Sequence, residues 1–453
     1  MVTSILEEER FTNEMAALKN ETMAPDSETS PPAGGSSPAR SVSDRYLSDT
    51  GRHISAEARE LIPLLRNQAR ESERLTHLTP AVLEALAAAG VFKMTMPREW
   101  GGLALGARDL VEVISTVAEG DGSAGWIAFC GVGLRNVLML DQQVVDEIAA
   151  NAAEHTGLLV VGASVFSTSV GAARRVDGGW MVKGKWAFGS GCWHAPYAMV
   201  GVEFDPAHGS GRGVCVLERR QYEIVDDWHV MGLSGTSSNS LRVEEELFAP
   251  DYRFLDLMEV PGRLETVRDR YSGPAFRQSG TALLLVVTLS GVSVTLGMAR
   301  GALAAFIEQA PRKKPFNLPY PTVADMPSVH VAVGRARAMI DAAEAVVQGW
   351  ASEVDERAEQ GRAFGHDEDS QITLALAYAS SLCEEAINNL QRTLGSSTAS
   401  LNNPIQRFVR DARVLNSHGA LRLDPQAEIT GRRLLGLEPF LMMGGAVPDV
   451  SAR

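Results

Sequence analysis

Basic charge is in deficit in this sequence. Its 453 residues carry 42 Lys and Arg against 56 Asp and Glu, a net charge of −14 at pH 7. A nucleic-acid binder needs the opposite surplus to neutralise phosphate, so that class is excluded. Cysteine is scarce as well. Cys130, Cys192, Cys215 and Cys383 are far apart and form no CxxC pair. That removes a disulfide framework and a zinc signature, and points to a reducing cytoplasm. There is no GxGxxG fingerprint, no GxSxG elbow and no HExxH, and the nine histidines lack metal-ligand spacing, so no metal is expected. Gly179 to Lys185 has the spacing of a phosphate loop, but Trp186 stands where Ser or Thr must bind magnesium, and the stretch alternates like a strand. The N-terminus has no apolar core like that of a signal peptide. Charge is also missing from Ser279 to Ala299, a run long enough to span a bilayer. Thr281, Thr288, Ser290, Ser293 and Thr295, with Gly291 and Gly297, make it too polar for a confident span. It reads as a buried helix rather than a membrane span, and no membrane partner is expected.

The remaining texture divides the chain in four. Residues 1–45 are polar and Pro/Ser/Gly-rich around 24–44, which predicts a disordered leader. Residues 46–156 show helical periodicity, with Thr79 placed to cap a helix at Pro80 and Gly90 to end it. Residues 157–258 hold short β-rich segments between Gly, Asp and Pro, as in a small sandwich or barrel. Residues 259–453 return to helix, with long helices expected at 275–310, 323–360, 368–395 and 403–420. The fold class is therefore α+β: an N-terminal helical domain, a central β-sandwich or barrel, and a C-terminal helical bundle.

Three segments stand out within this frame. The first runs from Lys185 to His194 as KWAFGSGCWH. The second runs from Trp228 to Asn239 as WHVMGLSGTSSN. The third runs from Pro404 to Asp411 as PIQRFVRD, with His418 seven residues on. Asp121 to Trp126 (DGSAGW) and Leu296 to Ala302 (LGMARGA) flank them. In order and spacing these segments resemble the acyl-CoA dehydrogenase superfamily from about residue 55 to 435, and within it the two-component flavin-dependent monooxygenases, the group D hydroxylases. The resemblance implies a C-terminal four-helix bundle, a flavin held between the β domain and the bundle, and a homotetramer or homodimer.

A dehydrogenase of this superfamily needs a carboxylate base beside the flavin to take an α-proton. Val414 to Gly419 offers none. Between Glu265 and Glu308 there is no Glu, and the only Asp is Asp269. The Thr-Glu-Pro…Gly-Ser-Asp strand motif is absent too, residues 164–175 reading SVFSTSVGAARR. The monooxygenase branch fits better. It implies an oxygenase that takes reduced flavin, FMNH2 or FADH2, from a separate NAD(P)H:flavin reductase. With O2 it forms a C4a-hydroperoxyflavin, which hydroxylates an aromatic (polycyclic or indole-like) or amine substrate, in biosynthesis or catabolism. An acyl-CoA dehydrogenase-like enzyme and a non-catalytic flavin-binding subunit are the alternatives.

Carried over by position, Ser190 is the hydroxyl beside flavin N5, with a turn serine bonded to its own backbone as the competing role. His418 is the catalytic histidine, for which an ordinary pKa near 6.5 is suited; a surface histidine at a helix end is the alternative. Ser164 stands where a second pocket serine is expected. Trp186 and Phe188, two apart on one strand, share a face and would wall the flavin, or simply pack the β core. Trp126, Gly191, Thr236 and Ser238 are further flavin-side candidates. Arg312, with Phe316, matches a segment that reaches a neighbouring subunit's flavin, while its basic neighbours also suit an exposed run. His194 reads as structural. One departure is that the helix after Trp126, Cys130 to Asn136, carries no histidine where phenol-hydroxylating relatives often do.

Overall fold

The computed structural model describes residues 47–155, 157–165 and 171–440. The expected disordered leader lies outside the described residues. The first helices are α1 (Asp49–Glu60), α2 (Ile62–Leu75) and α3 (Pro80–Ala88). Thr79 caps α3 by accepting the Val82 N–H, Pro80 occupies its first position, and Gly90 follows with φ +78°. α1 and α2 pack on α4 (Ala107–Gly120), which is buried along nearly its whole length. Asp121 ends α4 and caps α5 (Gly122–Gly131), accepting the Ala124 N–H at 3.1 Å. The one-turn α6 (Leu134–Val137) and α7 (Gln142–Glu154) complete the section.

Eight strands follow: β1 (Val160–Ala163), β2 (Gly171–Val176), β3 (Gly179–Trp186), β4 (Tyr197–Glu203), β5 (Arg212–Glu218), β6 (Glu223–Val225), β7 (Ser240–Pro250) and β8 (Phe254–Asp256). The sandwich or barrel of the sequence reading takes the form of one connected sheet. Its order is β6-β7-β3-β2-β4-β5-β8, with β1 also pairing β4. Two strands share one edge of β4. β1 pairs Tyr197–Val200 in parallel and β2 pairs only Val202 and Glu203. Trp186 bridges this narrow join. From β3 its ring crosses Gly171 of β2, where a Cβ would lie 2.3 Å from the indole, and its Nε1–H donates to the Gly201 carbonyl of β4 at 2.6 Å. Only glycine admits the ring at 171.

The C-terminal section holds α8 (Val260–Arg270), α9 (Gly280–Gln309), α10 (Pro327–Gln360), α11 (His366–Leu394), α12 (Pro404–Asn416) and α13 (Leu423–Leu434). The four long helices expected from the sequence are present as α9 to α12. α13 was not among them. Ser279 caps α9 by accepting the Ala282 N–H, and the uncharged run lies inside this helix, buried on most sides. α9 is long and apolar enough to cross a membrane, but it is a core helix here, with 83% of its most apolar window buried. It packs on α4, α10, α11 and α12. The approach to α4 is so close that a Cβ at Gly297 would sit 2.0 Å from the Ser115 carbonyl oxygen. Arg300 emerges there between Glu112 of α4 and Glu344 of α10, 3.0 Å from the latter, so its buried charge is compensated.

Candidate active site

Trp126 sits on α5, and its Nε1–H donates to Ser190 Oγ at 3.0 Å. Ser190 lies in the turn after β3. The strand ends at Trp186 and Phe188 takes φ +59°. Gly189 N–H donates to the Asn239 carbonyl and Gly191 N–H to the Thr236 carbonyl, 3.0 and 2.9 Å, so the turn is pinned to the 236–239 segment. Gly191 has φ +83° and is crowded by Leu158, where a Cβ would lie 2.5 Å from a methyl group.

The hydroxyls of Ser190, Ser238 and Thr236 form a chain with 2.7 Å between neighbours, and Thr236 Oγ1 bonds to the Leu233 carbonyl, also at 2.7 Å. Its direction follows from its ends. A carbonyl only accepts, so Thr236 donates to Leu233, Ser238 to Thr236 and Ser190 to Ser238. Trp126 only donates. Ser190 therefore gives its proton to Ser238, accepts one N–H from Trp126, and keeps a further lone pair. Beyond Leu233 the chain is anchored by Asp411 of α12, whose Oδ1 accepts the Leu233 N–H at 2.6 Å. Burial, and then the nearby Asp121 charge, push the Asp411 carboxyl up to about 7. Arg407 stands 3.7 Å from Asp121, and Arg410 binds the Met231 carbonyl and Glu73, which ties α12 to the same loop.

His418, just beyond α12, meets the Trp126 ring edge to face with centroids 5.6 Å apart. Its Nδ1 accepts the Ala420 N–H at 3.4 Å. The side chain is open to solvent on one side of this chain, yet protein crowds it on the others, and that desolvation lowers its pKa. Phe129 packs on Trp126 at 4.6 Å from the other side. Cys130 lies one turn after Trp126 on the same face of α5, and burial pushes its thiol up to about 12. It is a neutral, inert neighbour.

The structure thus joins Trp126, Ser190, Thr236, Ser238 and His418. Phe188 is 67% exposed with its ring edge toward Trp228, beside Ser190. Ser164, at φ +48°, donates to the Ala187 carbonyl at 3.1 Å and braces the same turn. Trp186 departs from the expectation that it shares a flavin-facing wall with Phe188. It has no exposed surface, because its ring bridges the sheet. The alternation that would place 186 and 188 on one face fails where the strand ends and Phe188 turns left-handed. Arg312 is not brought to the cluster within one chain. It lies in the turn just after α9, exposed and paired with Glu308 at 3.4 Å. His194 is mostly buried against His77, and burial pulls it down to about 4. Cys130 and Asp411 were not singled out as site residues from sequence. The spacing of Trp126 and Cys130 carried a signal, since i and i+4 share a helix face. Asp411 carried none as a single letter.

A flavin fits these residues. Ser190 offers a free acceptor to a ring N–H, and the exposed Phe188 ring beside it offers a flat apolar surface. No carboxylate belongs to the Trp126–Ser190–Ser238–Thr236 chain, and Asp411 is committed to Leu233.

Comparison with known proteins agrees. Residues 48–142 match the family model described as Acyl-CoA dehydrogenase, N-terminal domain, and residues 289–423 that described as Acyl-CoA dehydrogenase, C-terminal domain. The chain is 30% identical over 392 residues to the flavin-dependent monooxygenase, oxygenase subunit HsaA, of Mycobacterium tuberculosis (strain ATCC 25618 / H37Rv), covering 85% of this chain and 96% of that one. It is 28% identical to the FADH(2)-dependent resorcinol hydroxylase, oxygenase component, of Rhizobium sp. (strain MTP-10005), covering 83% and 92%. The crystal structure of the HsaA monooxygenase from M. tuberculosis superposes with a TM-score of 0.75 at 28% identity, over 87% of this chain and 100% of that one.

Proposed function

This chain belongs to the acyl-CoA dehydrogenase family, as an oxygenase component of the flavin-dependent monooxygenases, and from that premise we propose how its residues act and on what. The enzyme uses reduced flavin and O2, and a separate component supplies the flavin. Our reading is that this component is a cytoplasmic NAD(P)H-dependent flavin reductase. We take the substrate to be an electron-rich aromatic ring, phenolic or indole-like. The oxygenase components of resorcinol hydroxylase and p-hydroxyphenylacetate 3-hydroxylase, and an indole-3-acetate monooxygenase, are among its relatives.

The observation that carries the site assignment is the directed chain ending on Ser190, with His418 against Trp126. When bound, reduced flavin reacts with O2 and supplies the electrophilic oxygen. Ser190, its own proton held by Ser238, accepts a cofactor N–H and fixes the ring edge. Trp126 and Phe129 keep that edge apolar and short of water. His418 holds its proton on Nε2 in the neutral form, because Nδ1 accepts from Ala420; this tautomer is assigned from the hydrogen bond. As placed, it donates to a substrate or cofactor oxygen, and to act as a base it must first release Ala420. Phe188 supplies a face for the ring system.

We read residues 46–156, 157–258 and 259–453 as the three domains and the active form as a homotetramer or homodimer. Phe316, 89% exposed beside Arg312, supports a neighbouring subunit there, with Arg312 reaching that subunit's flavin. The test is to supply photoreduced FMN or FAD and air to the protein with phenols and indoles, and to analyse products by mass spectrometry. Hydroxylated product from at least one ring class is expected. Flavin oxidation with no product across the panel overturns the reading.

A further inference from the structure

Arg135 of α6 is 4% exposed, and no carboxylate pairs with it among the described residues. Its one bond is from Nη1 to Gln278 Oε1 at 2.6 Å. Nε and Nη2 are buried without partners, and so is Nε2 of Gln278, which is itself 4% exposed. The amide orientation is not in doubt, because a guanidinium cannot accept and Oε1 must face it. Burial alone pulls the guanidinium down to about 9, with no neighbouring charge offsetting it.

A buried cation without a counter-ion is strongly unfavourable, and buried donors almost always find acceptors. Here three buried donors on two bonded side chains have no acceptor among the described residues. Nε and Nη2 form one edge of the guanidinium fork, the edge that matches the two oxygens of a carboxylate, and the Gln278 amide adds a third N–H. The place is linked to the candidate active site. α5 runs into α6 through Val132 and Gly133, both in right-handed helical conformation, so Arg135 lies nine residues beyond Trp126, about 13 Å by helical rise. Trp126, at the start of that path, donates to Ser190. α6 packs on β1, the strand that leads into Ser164 and so to the Ser190 turn, and Gln278 lies just before α9, which packs on α5.

We propose that Arg135 and Gln278 form a carboxylate receptor, and hence that the aromatic substrate is an acid whose carboxylate docks there while its ring lies toward Trp126 and Ser190. The inference rests on the oxygenase reading for the ring's position but not for the receptor itself. It makes Arg135 a specificity residue that selects acids over their neutral analogues.

Binding calorimetry without flavin tests it, with benzoate, phenylacetate, 4-hydroxyphenylacetate and indole-3-acetate as probes, each against its own primary amide. At least one acid is expected to bind about tenfold or more tighter than its amide, as suits a bidentate charge-assisted pair. Arg135→Gln is expected to remove that preference and leave amide affinity unchanged. Gln278→Leu, which keeps the guanidinium, is expected to weaken acid binding less. Ligand-free Arg135→Met should melt at a higher temperature than wild type, because it removes an uncompensated buried charge; a merely structural arginine would lower the melting temperature instead. No acid preferred over its amide, a preference that survives Arg135→Gln, or a lowered melting temperature in Arg135→Met overturns the proposal. Flavin binding, measured in parallel, separates the two readings: a wild type that binds acids but no flavin refutes the oxygenase mechanism and leaves the receptor standing.

Discussion

Asp411→Asn isolates the buried carboxyl that anchors the hydroxyl chain. The asparagine carbonyl can still accept the Leu233 N–H, and its amide turns a donor toward the Asp121 side, where wild type places a second acid. In wild type the folded-state pKa is raised from 3.8 to about 7, first by burial and then by Asp121. A raised carboxyl pKa means that the folded state holds the proton more tightly than the unfolded state. Stability from this group is therefore greatest below pH 4 and is lost as the pH rises toward 7. A difference of about three pKa units corresponds to about 4 kcal/mol, fully expressed above pH 7. Asparagine does not titrate, so the variant should gain on wild type across that window. For a chain of this size the gain amounts to a melting-temperature difference on the order of 5 °C at pH 7.5, falling to about 1 °C at pH 4.5. Scanning both proteins by differential calorimetry at four pH values checks this. A difference that does not change with pH, or that favours wild type at pH 7.5, refutes the argument that Asp411 is a strained acid held neutral by its surroundings.

Other predictions concern the site and the core. Ser190→Ala removes the acceptor for Trp126 and for the cofactor; product formation should fall about tenfold or more for a bond of about 1–2 kcal/mol, with flavin oxidation continuing and peroxide rising, as a product-to-peroxide ratio shows. His418→Ala should lower hydroxylation about 10²–10⁴-fold with protein stability little changed. Because burial lowers the His418 pKa, the neutral ring persists below the usual histidine range, and the acid limb of the rate profile should fall below pH 6.5. Gly297→Ala drives a methyl into the Ser115 carbonyl, which must move, so it should destabilise the fold by about 1–3 kcal/mol or prevent folding, read by denaturant midpoint.

The helical framework was legible because its signals are local. Thr79 caps the helix it was read to cap, and the uncharged run became a core helix. α13 lies in the helical texture read to the C-terminus, with Pro425 in its first turn, where a proline lacks nothing that the helix needs. The individual strands were legible, but the sharing of one β4 edge by β1 and β2 is a long-range pairing that no local pattern encodes. At the site, the order of motifs led to Ser190, Trp126 and His418, and the structure brings them together. Trp186 takes the core-packing role that the sequence also allowed, because the alternation pairing it with Phe188 holds only while the strand lasts. Arg135 looked like a gap where a histidine was missing. That it lacks a counter-ion among the described residues is a property of its surroundings and needs three dimensions to see.

The central claim is that this chain transfers an oxygen atom from O2 to an aromatic ring at the Ser190–His418 site. A single-turnover reaction under oxygen-18 gas, with reduced flavin in equal amount and the product analysed by mass spectrometry, tests it most directly. The account predicts one heavy oxygen in the hydroxylated product from wild type, and little product from Ser190→Ala and His418→Ala. Product oxygen drawn from water, or undiminished labelled product from both variants, would contradict it.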